Sequence, residues 1–147
     1  MKYNQLPKQQ QNALNVYIKL MRATNRTTGA IHHHLQQDNL THSQFAVLEA
    51  LYHLGPLSQG ELGQKILKSN ANLTTVVDSL EKKQLAQRVR NEKDRRRVEV
   101  NLTSAGSELI SRVFTRHAKI VADEFAVLSG AEQKLLGRLL KKLGQGG

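Results

Sequence analysis

The sequence predicts a mainly α-helical protein with one short β-hairpin. Apolar residues recur at helical spacing through most of the 147 residues, and strict alternation of apolar and polar residues is confined to residues 98–102. Three Phe, three Tyr and no Trp also disfavour a strand-rich fold, because strands favour aromatic side chains. The length fits one domain with a real core, or such a domain with an attached oligomerisation element.

Four helices are predicted before the hairpin. The first spans about residues 10–36 and carries an apolar stripe. Two shorter helices begin at the capping boxes Thr41–Gln44 and Ser58–Glu61, where a hydroxyl and a side chain three residues later satisfy free backbone N–H groups. The next helix, about 70–83, has the cleanest stripe in the chain, formed by Leu73, Val76, Val77 and Leu80.

The hairpin and two further helices complete the chain. Residues 85–90 and 98–102 read as strands joined by a turn at 91–94, and these are the only strands that the sequence predicts. Helix resumes over about 104–128. A third capping box, Ser129–Glu132, starts a last helix rich in leucine. Three short helices followed by a hairpin form a winged helix-turn-helix.

The charge of the chain is positive and concentrated. There are 22 Lys and Arg against 12 Asp and Glu, a net charge of +10. Between Lys82 and Arg97, eight basic residues stand against two acidic ones and supply +6 of that excess. A basic surface favours a polyanionic partner. The stretch covers the predicted hairpin, which would meet the phosphates that flank a groove of DNA.

The helix 70–83 has a polar outward face. With Leu73 and Val77 buried, a turn of about 100° per residue brings short polar side chains to the opposite side. Such a face can enter a major groove and exchange hydrogen bonds with base edges. An ordinary solvated helix would look alike, so the adjacent basic hairpin decides in favour of DNA. The outward side chains are Asn72, Thr75, Asp78, Ser79 and Lys82, with Thr74 at the edge.

Composition and motifs exclude or disfavour other classes of protein. Without cysteine there are no disulfides, cysteine zinc sites or thiol sensors. No apolar run approaches the roughly 18 residues of a membrane span, and the polar start lacks a signal core, which predicts a cytoplasmic protein with no membrane partner. Enzyme motifs are absent, and the pair His53 and Ser58 is typical of loops, so neither catalysis nor a cofactor is predicted.

The hairpin sequence resembles one family of regulators. Residues 94–103, DRRRVEVNLT, are similar to the D-x-R-x-x-x-V-x-L-T wing signature of the MarR family of bacterial transcription regulators, and residues 102–106 continue it as L-T-x-x-G. Upstream, residues 72–74 and 78–85 are similar to the family's N-V-T and D-R-L-E-x-x-G-L stretches. The order of helices also agrees, so the resemblance covers nearly the whole chain.

The resemblance implies roles for particular residues. Arg96 would be the arginine that enters the minor groove, and Asp94 the carboxylate that orients it. Family members are homodimers with interlocking first and last helices, and they bind near-palindromic operators, usually as repressors released by a small ligand. An effector pocket is then expected near Tyr17, Phe45 and Tyr52.

Two positions depart from the family pattern. Ser79 stands where arginine is common, so one long DNA contact is missing and the operator sequence is left open. Gln84 replaces the glycine that a left-handed helix cap would favour. Neither departure threatens the fold.

The histidines invite a metal hypothesis that the spacing does not support. Consecutive residues of a helix point about 100° apart, so His32, His33 and His34 cannot all bind one ion. His42 and His117 could join one of them, but ligand spacing typical of zinc is absent, and no metal is predicted.

These observations predict a regulator of three parts. Residues 1–36 form a dimerisation helix, 37–103 the winged helix-turn-helix, and 104–147 the C-terminal dimerisation helices. Its partners are operator DNA, a second copy and a small-molecule effector. A non-specific architectural DNA-binding protein and a protein-interaction module remain as alternatives. The predicted DNA-contacting residues are Ser58, Gln59, Ser69, Asn70, Asn72, Thr74, Thr75, Ser79, Arg88, Asp94, Arg95, Arg96 and Arg97.

Overall fold

The computed structural model describes residues 1–66 and 70–146, with the backbone alone at residues 70 and 71. Within these residues the regular structure consists of α-helices, two short 3₁₀ turns and one small antiparallel sheet. The helices and strands, in chain order, are α1 (Lys8–Leu35), α2 (His42–Leu54), β1 (Leu57–Ser58), α3 (Gln59–Ile66), α4 (Asn70–Lys82), β2 (Ala86–Arg90), β3 (Val98–Leu102), α5 (Ser104–Phe125) and α6 (Gly130–Gly144).

The predicted helix starts are confirmed at atomic detail. Thr41 accepts a hydrogen bond from the backbone of Gln44, whose side chain accepts one in return. Ser58 and Glu61 exchange the same pair at 3.1 and 3.2 Å, and Ser129 and Glu132 form the third capping box. The helix predicted to reach residue 128 ends earlier, at Phe125.

The sheet contains one strand that the sequence analysis did not predict. Its order is β1-β3-β2, with Leu57 opposite Val100 on one side of β3 and Arg88 opposite Val100 on the other. The prediction that the hairpin supplies the only strands is therefore wrong. Two residues of β1 are too few to show an alternating pattern.

The chain folds as two compact units. The central unit comprises His32–Lys119, and the terminal unit comprises Met1–Ile31 and Ile120–Gly147. Helices α1 and α5 each pass from one unit into the other.

The central unit contains a continuous hydrophobic core. Helix α4 contributes Leu73, Val77 and Leu80, as its apolar stripe predicts. The remaining core residues come from the end of α1, from α2, α3, the sheet and α5: Leu35, Leu40, Phe45, Val47, Leu48, Leu51, Leu57, Leu62, Ala86, Val100, Ile110 and Val113.

The terminal unit has no such core. Among residues 1–31 and 120–146 no side chain is buried, and large apolar side chains of α1 and α6 are open to solvent. Apolar residues of these two helices and of the end of α5 line a groove of about 600 Å³. Across the described part of the chain, no helix has both the length and the apolar character needed to span a membrane.

Candidate nucleic-acid interface

Helix α4 presents a polar face to solvent, as predicted. Asn72, Thr74 and Thr75 are exposed along the side opposite the buried Leu73 and Val77. These short side chains offer hydroxyl and amide groups of the kind that pair with base edges. The face extends through Asp78 and Lys82, which are also exposed.

Ser79 lies between this face and α2. Its hydroxyl accepts a hydrogen bond from Gln44 Nε2 at 3.0 Å and donates one to the Val76 carbonyl at 2.6 Å. Gln44 is buried and is also held by Thr41 and Lys83. In the free protein the Ser79 side chain therefore anchors α4 on α2, whereas the sequence analysis placed it with the outward set.

Arg88 of β2 is directed at α4. Its guanidinium pairs with Asp78 at 2.8 Å and with Glu81, and its backbone N–H donates to Glu81 at 3.1 Å. Arg88 also donates to the side-chain oxygen of Gln59, whose nitrogen donates to Thr74 at 2.6 Å. Only 27% of the Arg88 side chain is exposed. This arginine, predicted to contact DNA, joins the sheet to α4 in the free protein.

Two side chains shape the turn between β2 and β3, the amide of Asn91 and the carboxylate of Asp94. Asn91 Oδ1 accepts from the backbone N–H groups of Lys93 and Asp94 at 2.8 and 2.9 Å, which closes the turn. Asp94 Oδ1 then accepts from the backbone N–H of Arg96 at 3.1 Å and from its Nε at 3.4 Å. The Arg96 side chain is 94% exposed. One carboxylate oxygen thus holds the base of a guanidinium that reaches into solvent.

The three consecutive arginines of the wing have different surroundings. Arg95 and Arg96 are exposed. Arg97 instead pairs with Glu61 at the start of α3 and with Glu99 of β3, the latter at 3.2 Å. Hydrogen bonds from Ser58 and Arg97 lower the pKa of Glu61, and both carboxylates raise the pKa of Arg97. Arg97 ties the wing to α3.

The polar groups at the start of α3 form hydrogen bonds with one another. The backbone N–H of Ser58, a residue predicted to contact DNA, donates to the Glu61 carboxylate, and the Ser58 hydroxyl accepts from the backbone N–H of Glu61 in return. Among the other predicted residues, Ser69 and the side chain of Asn70 lie outside the described residues.

The three aromatic residues predicted near an effector have different environments. Phe45 is 2% exposed and belongs to the core of the central unit, with its ring 4.5 Å from that of His117. Tyr52, in the same unit, is exposed and lies 6.3 Å from the ring of Phe114. Tyr17 belongs to the terminal unit, where it is exposed.

Four of the six histidines form two pairs. His34 Nε2 lies 3.1 Å from His117 Nδ1, and the rings of His32 and His42 are 4.2 Å apart. Burial lowers the pKa of both His34 and His117, with a further contribution from the Arg116 charge at His34. Within residues 1–66 and 70–146, no three His, Cys, Asp or Glu side chains are grouped to hold a metal ion.

Sequence reasoning missed the residues that position the basic groups. Gln44, Glu61, Asp78, Glu81 and Glu99 hold Ser79, Arg88 or Arg97, and of these Gln44 and Glu61 carried a signal, their places in capping boxes. With α4 beside a wing whose tip carries Arg95 and Arg96, the central unit is a winged helix-turn-helix of the DNA-binding type.

Comparisons with known proteins identify the family. The MarR family pattern matches residues 40–98. MhqR, an HTH-type transcriptional regulator of Bacillus subtilis (strain 168), is 34% identical over 91% of this chain and 92% of its own length. BpsR of Bordetella bronchiseptica, whose DNA binding is regulated by 6-hydroxynicotinic acid, has a TM-score of 0.80 at 28% identity, over 88% of this chain and 92% of BpsR.

A mutant MarR from Escherichia coli complexed with operator DNA shares the fold. Its TM-score is 0.80 at 22% identity, over 90% of this chain and 95% of that one. The chain belongs to the MarR family. It is a DNA-binding transcriptional regulator and not an enzyme.

Proposed function

We propose that this protein is a homodimer that binds operator DNA sequence-specifically in the cytoplasm and represses transcription until a small ligand releases it. The observation that carries this proposal is the Arg96 guanidinium, 94% exposed at the wing tip and held at its base by Asp94. An arginine so placed suits a narrow minor groove, while the polar face of α4 suits the adjacent major groove.

The contacts of the free protein divide the predicted DNA residues into two groups. Asn72, Thr74, Thr75, Arg95 and Arg96 are exposed and are proposed to touch DNA directly, with Thr74 held by Gln59 and Arg96 by Asp94. The others with described side chains have polar partners inside the central unit, and we propose that they mainly position the first group: Ser58, Gln59, Ser79, Arg88, Asp94 and Arg97.

Dimerisation is supported by the terminal unit. Leu139 and Leu143 of α6 are 51% and 60% exposed, and Val16 of α1 is 61% exposed. Contiguous apolar surface of this kind is typical of protein interfaces. We propose that residues 1–36 and 104–147 form the dimerisation region and that residues 37–103 bind DNA.

Relief by a small ligand is supported by a relative. BpsR responds to 6-hydroxynicotinic acid. A thermal-shift screen of phenolic compounds and divalent metals, followed by DNA release measured with each hit, tests this part of the proposal.

Arg96→Ala tests the DNA-binding part. The variant should lose about 1–3 kcal/mol of affinity for the DNA upstream of its own gene, because it removes the exposed wing contact. Fluorescence anisotropy of labelled duplex at fixed salt measures the loss. Arg138→Ala, which removes an exposed arginine of α6, is the matched control and should change affinity far less.

Three outcomes would contradict the proposal. Equal losses in the two variants would show that only net charge matters. Equal affinity of the native protein for its upstream DNA and for random duplex would favour an architectural DNA-binding protein. No DNA binding at all would favour a protein-interaction module.

A further inference from the structure

The side chain of Gln59 bridges α3, α4 and the sheet. Its Nε2 donates to the hydroxyl oxygen of Thr74 at 2.6 Å, and its Oε1 accepts from Arg88 at 3.4 Å. Arg88 in turn is fixed by Asp78 and Glu81. A continuous line of polar contacts therefore runs from two carboxylates to a hydroxyl on the exposed face of α4.

Arg88 determines which way the Gln59 amide points. A guanidinium has five N–H donors and no acceptor, so the group that faces it has to be the amide oxygen. The amide nitrogen then faces Thr74. The usual ambiguity between the two ends of an amide is removed by a neighbour that can only donate.

The amide orientation sets the hydrogen-bonding sense of Thr74. Its oxygen accepts from Gln59, and accepting a hydrogen bond polarises the hydroxyl so that it donates more strongly. Thr74 is exposed on the face of α4 proposed to enter the major groove. In that groove the acceptors are purine N7, guanine O6 and thymine O4, while cytosine N4 and adenine N6 are donors.

We propose that Gln59 determines base specificity by holding the Thr74 hydroxyl as a donor, so that Thr74 selects a base that presents an acceptor. Gln59 is a positioning residue in this scheme, and Thr74 is the residue that touches the base. The inference rests on the proposed function and adds the chemistry of one base contact.

The test compares base preferences, not overall affinity. Full-length protein selects from a pool of duplexes randomised around the operator, and the selected pools are sequenced. The variants are Thr74→Val, which keeps the shape and removes the hydroxyl, and Gln59→Glu, whose carboxylate accepts from both Arg88 and Thr74. In Gln59→Glu the Thr74 oxygen is left to accept from DNA.

The native protein should favour an acceptor-bearing base at one position. Thr74→Val should reduce the preference there by roughly 2- to 10-fold, the range for one net hydrogen bond. Gln59→Glu should shift the preference at that same position toward cytosine or adenine. Added to Thr74→Val, it should produce no further shift, because Gln59 acts through the hydroxyl.

Two variants guard the interpretation. Thr75→Val removes the neighbouring exposed hydroxyl, and its effect should fall on a different base and add independently to that of Gln59→Glu. Gln59→Met lacks both amide groups without adding charge and should relax the Thr74-dependent preference. If thermal unfolding shows that Gln59→Glu does not fold, Gln59→Met tests the role of Gln59 in its place.

The results that would overturn the inference can be distinguished from those that would also overturn the proposed function. If the native protein enriches a motif that Thr74→Val and Gln59→Met leave unchanged, the inference is overturned and the proposed function stands. If Gln59→Glu shifts the motif equally without the Thr74 hydroxyl, Gln59 reads DNA itself and the inference is again overturned. If the native protein enriches no motif, both the inference and the proposed sequence specificity fail.

Discussion

Gln84 occupies a backbone conformation that glycine adopts more easily. Its φ is +60°, in the left-handed region, two residues after α4 ends at Lys82. The turn is closed by hydrogen bonds from Gln84 N–H to the Glu81 carbonyl and from Leu85 N–H to the Leu80 carbonyl, both 2.9 Å. This pattern is the usual left-handed termination of a helix. Glycine, which the family pattern has at this position, is what a left-handed cap favours, and Gln84 adopts the left-handed conformation in its place.

Gln84→Gly should stabilise the protein. Relief of the left-handed strain outweighs the extra freedom that glycine gives to the unfolded chain, leaving a gain of about 0.5–1 kcal/mol in the free energy of unfolding. The melting temperature should rise by roughly 1–4 °C. Calorimetry or circular dichroism measures the shift.

Asn39→Gly is the matched control for that substitution. Asn39 has a φ of +55° at the end of the 3₁₀ turn Gln36–Asp38. Asparagine tolerates this conformation better than glutamine, so the gain from glycine should be smaller. A loss of stability in Gln84→Gly, or a larger gain at Asn39, would contradict the explanation.

Gly106 and Thr103 complete the junction between the end of α4 and the start of α5. A Cβ at Gly106 would lie 1.9 Å from the Leu85 carbonyl oxygen, so any side chain there would force the backbones apart. Thr103 donates to the Gln84 carbonyl at 2.7 Å and accepts from the Gly106 N–H at 3.0 Å. The L-T-x-x-G pattern thus joins the end of α4 to the start of α5.

Among the secondary-structure elements, hydrophobic periodicity predicted more of the observed structure than the distribution of charge did. The helices, the capping boxes and the hairpin follow from contacts within a few residues, which a sequence displays directly. The roles of Arg88 and Arg97 depend on distant partners: Arg97 pairs with Glu61, 36 positions earlier. A count of basic residues cannot tell an arginine whose guanidinium is enclosed by carboxylates from one that its carboxylate partner leaves 94% exposed, such as Arg96.

The end of α1 and helix α5 are joined by a partly buried chain of polar contacts, in which His34 is buried. Arg116 Nε donates to His34 Nδ1 at 3.1 Å, and the other His34 nitrogen faces His117 Nδ1. Arg116 also pairs with Asp38 at 2.6 Å, and Arg112 with the same carboxylate at 3.4 Å. Because Arg116 can only donate, this chain requires a neutral His34.

Acid should therefore weaken the central unit. Burial holds the pKa of His34 and His117 below the ordinary value of 6.5, so the unfolded chain binds these protons first. The free energy of unfolding should fall as the pH drops from about 6.5 through the lowered pKa values, and then level off. Urea unfolding at pH 7.5, 6.0 and 5.0 measures the trend.

A double variant isolates the histidines from other titrating groups. In His34→Gln with His117→Asn, amide groups replace the ring nitrogens, and the slope between pH 7.5 and 5.0 should flatten. The carboxylates are common to both proteins: Arg116 lowers the pKa of Asp38, while burial raises that of Glu49. Equal slopes in the native and double-variant proteins would show that the histidines do not carry the effect.

At the scale of the whole molecule, the two units differ in how their apolar surface is used. The central unit buries its leucines in a core of its own, whereas α6 leaves Leu135, Leu139, Leu140 and Leu143 at least 40% exposed. Exposed leucines in such a row are costly in water. We propose that a second copy covers these leucines. The resulting dimer would also present two winged helices, about 34–36 Å apart, to successive turns of DNA.

Leu139→Asp should separate the two copies. The substitution replaces an apolar side chain of the proposed interface with a charge, which should weaken dimerisation by at least about 3 kcal/mol, more than 100-fold in Kd. Lys141→Asp is the control, because two residues along the helix turn the side chain about 200° away from Leu139 and the change in charge is larger. Sedimentation velocity should show a native dimer, a dimeric Lys141→Asp and a monomeric Leu139→Asp.

The monomer should also lose most of its affinity for a two-half-site operator while keeping its weaker binding to one half-site, because the central unit has its own core. A monomeric native protein, or a Leu139→Asp variant that sediments as the native one does, would show that this surface has another use.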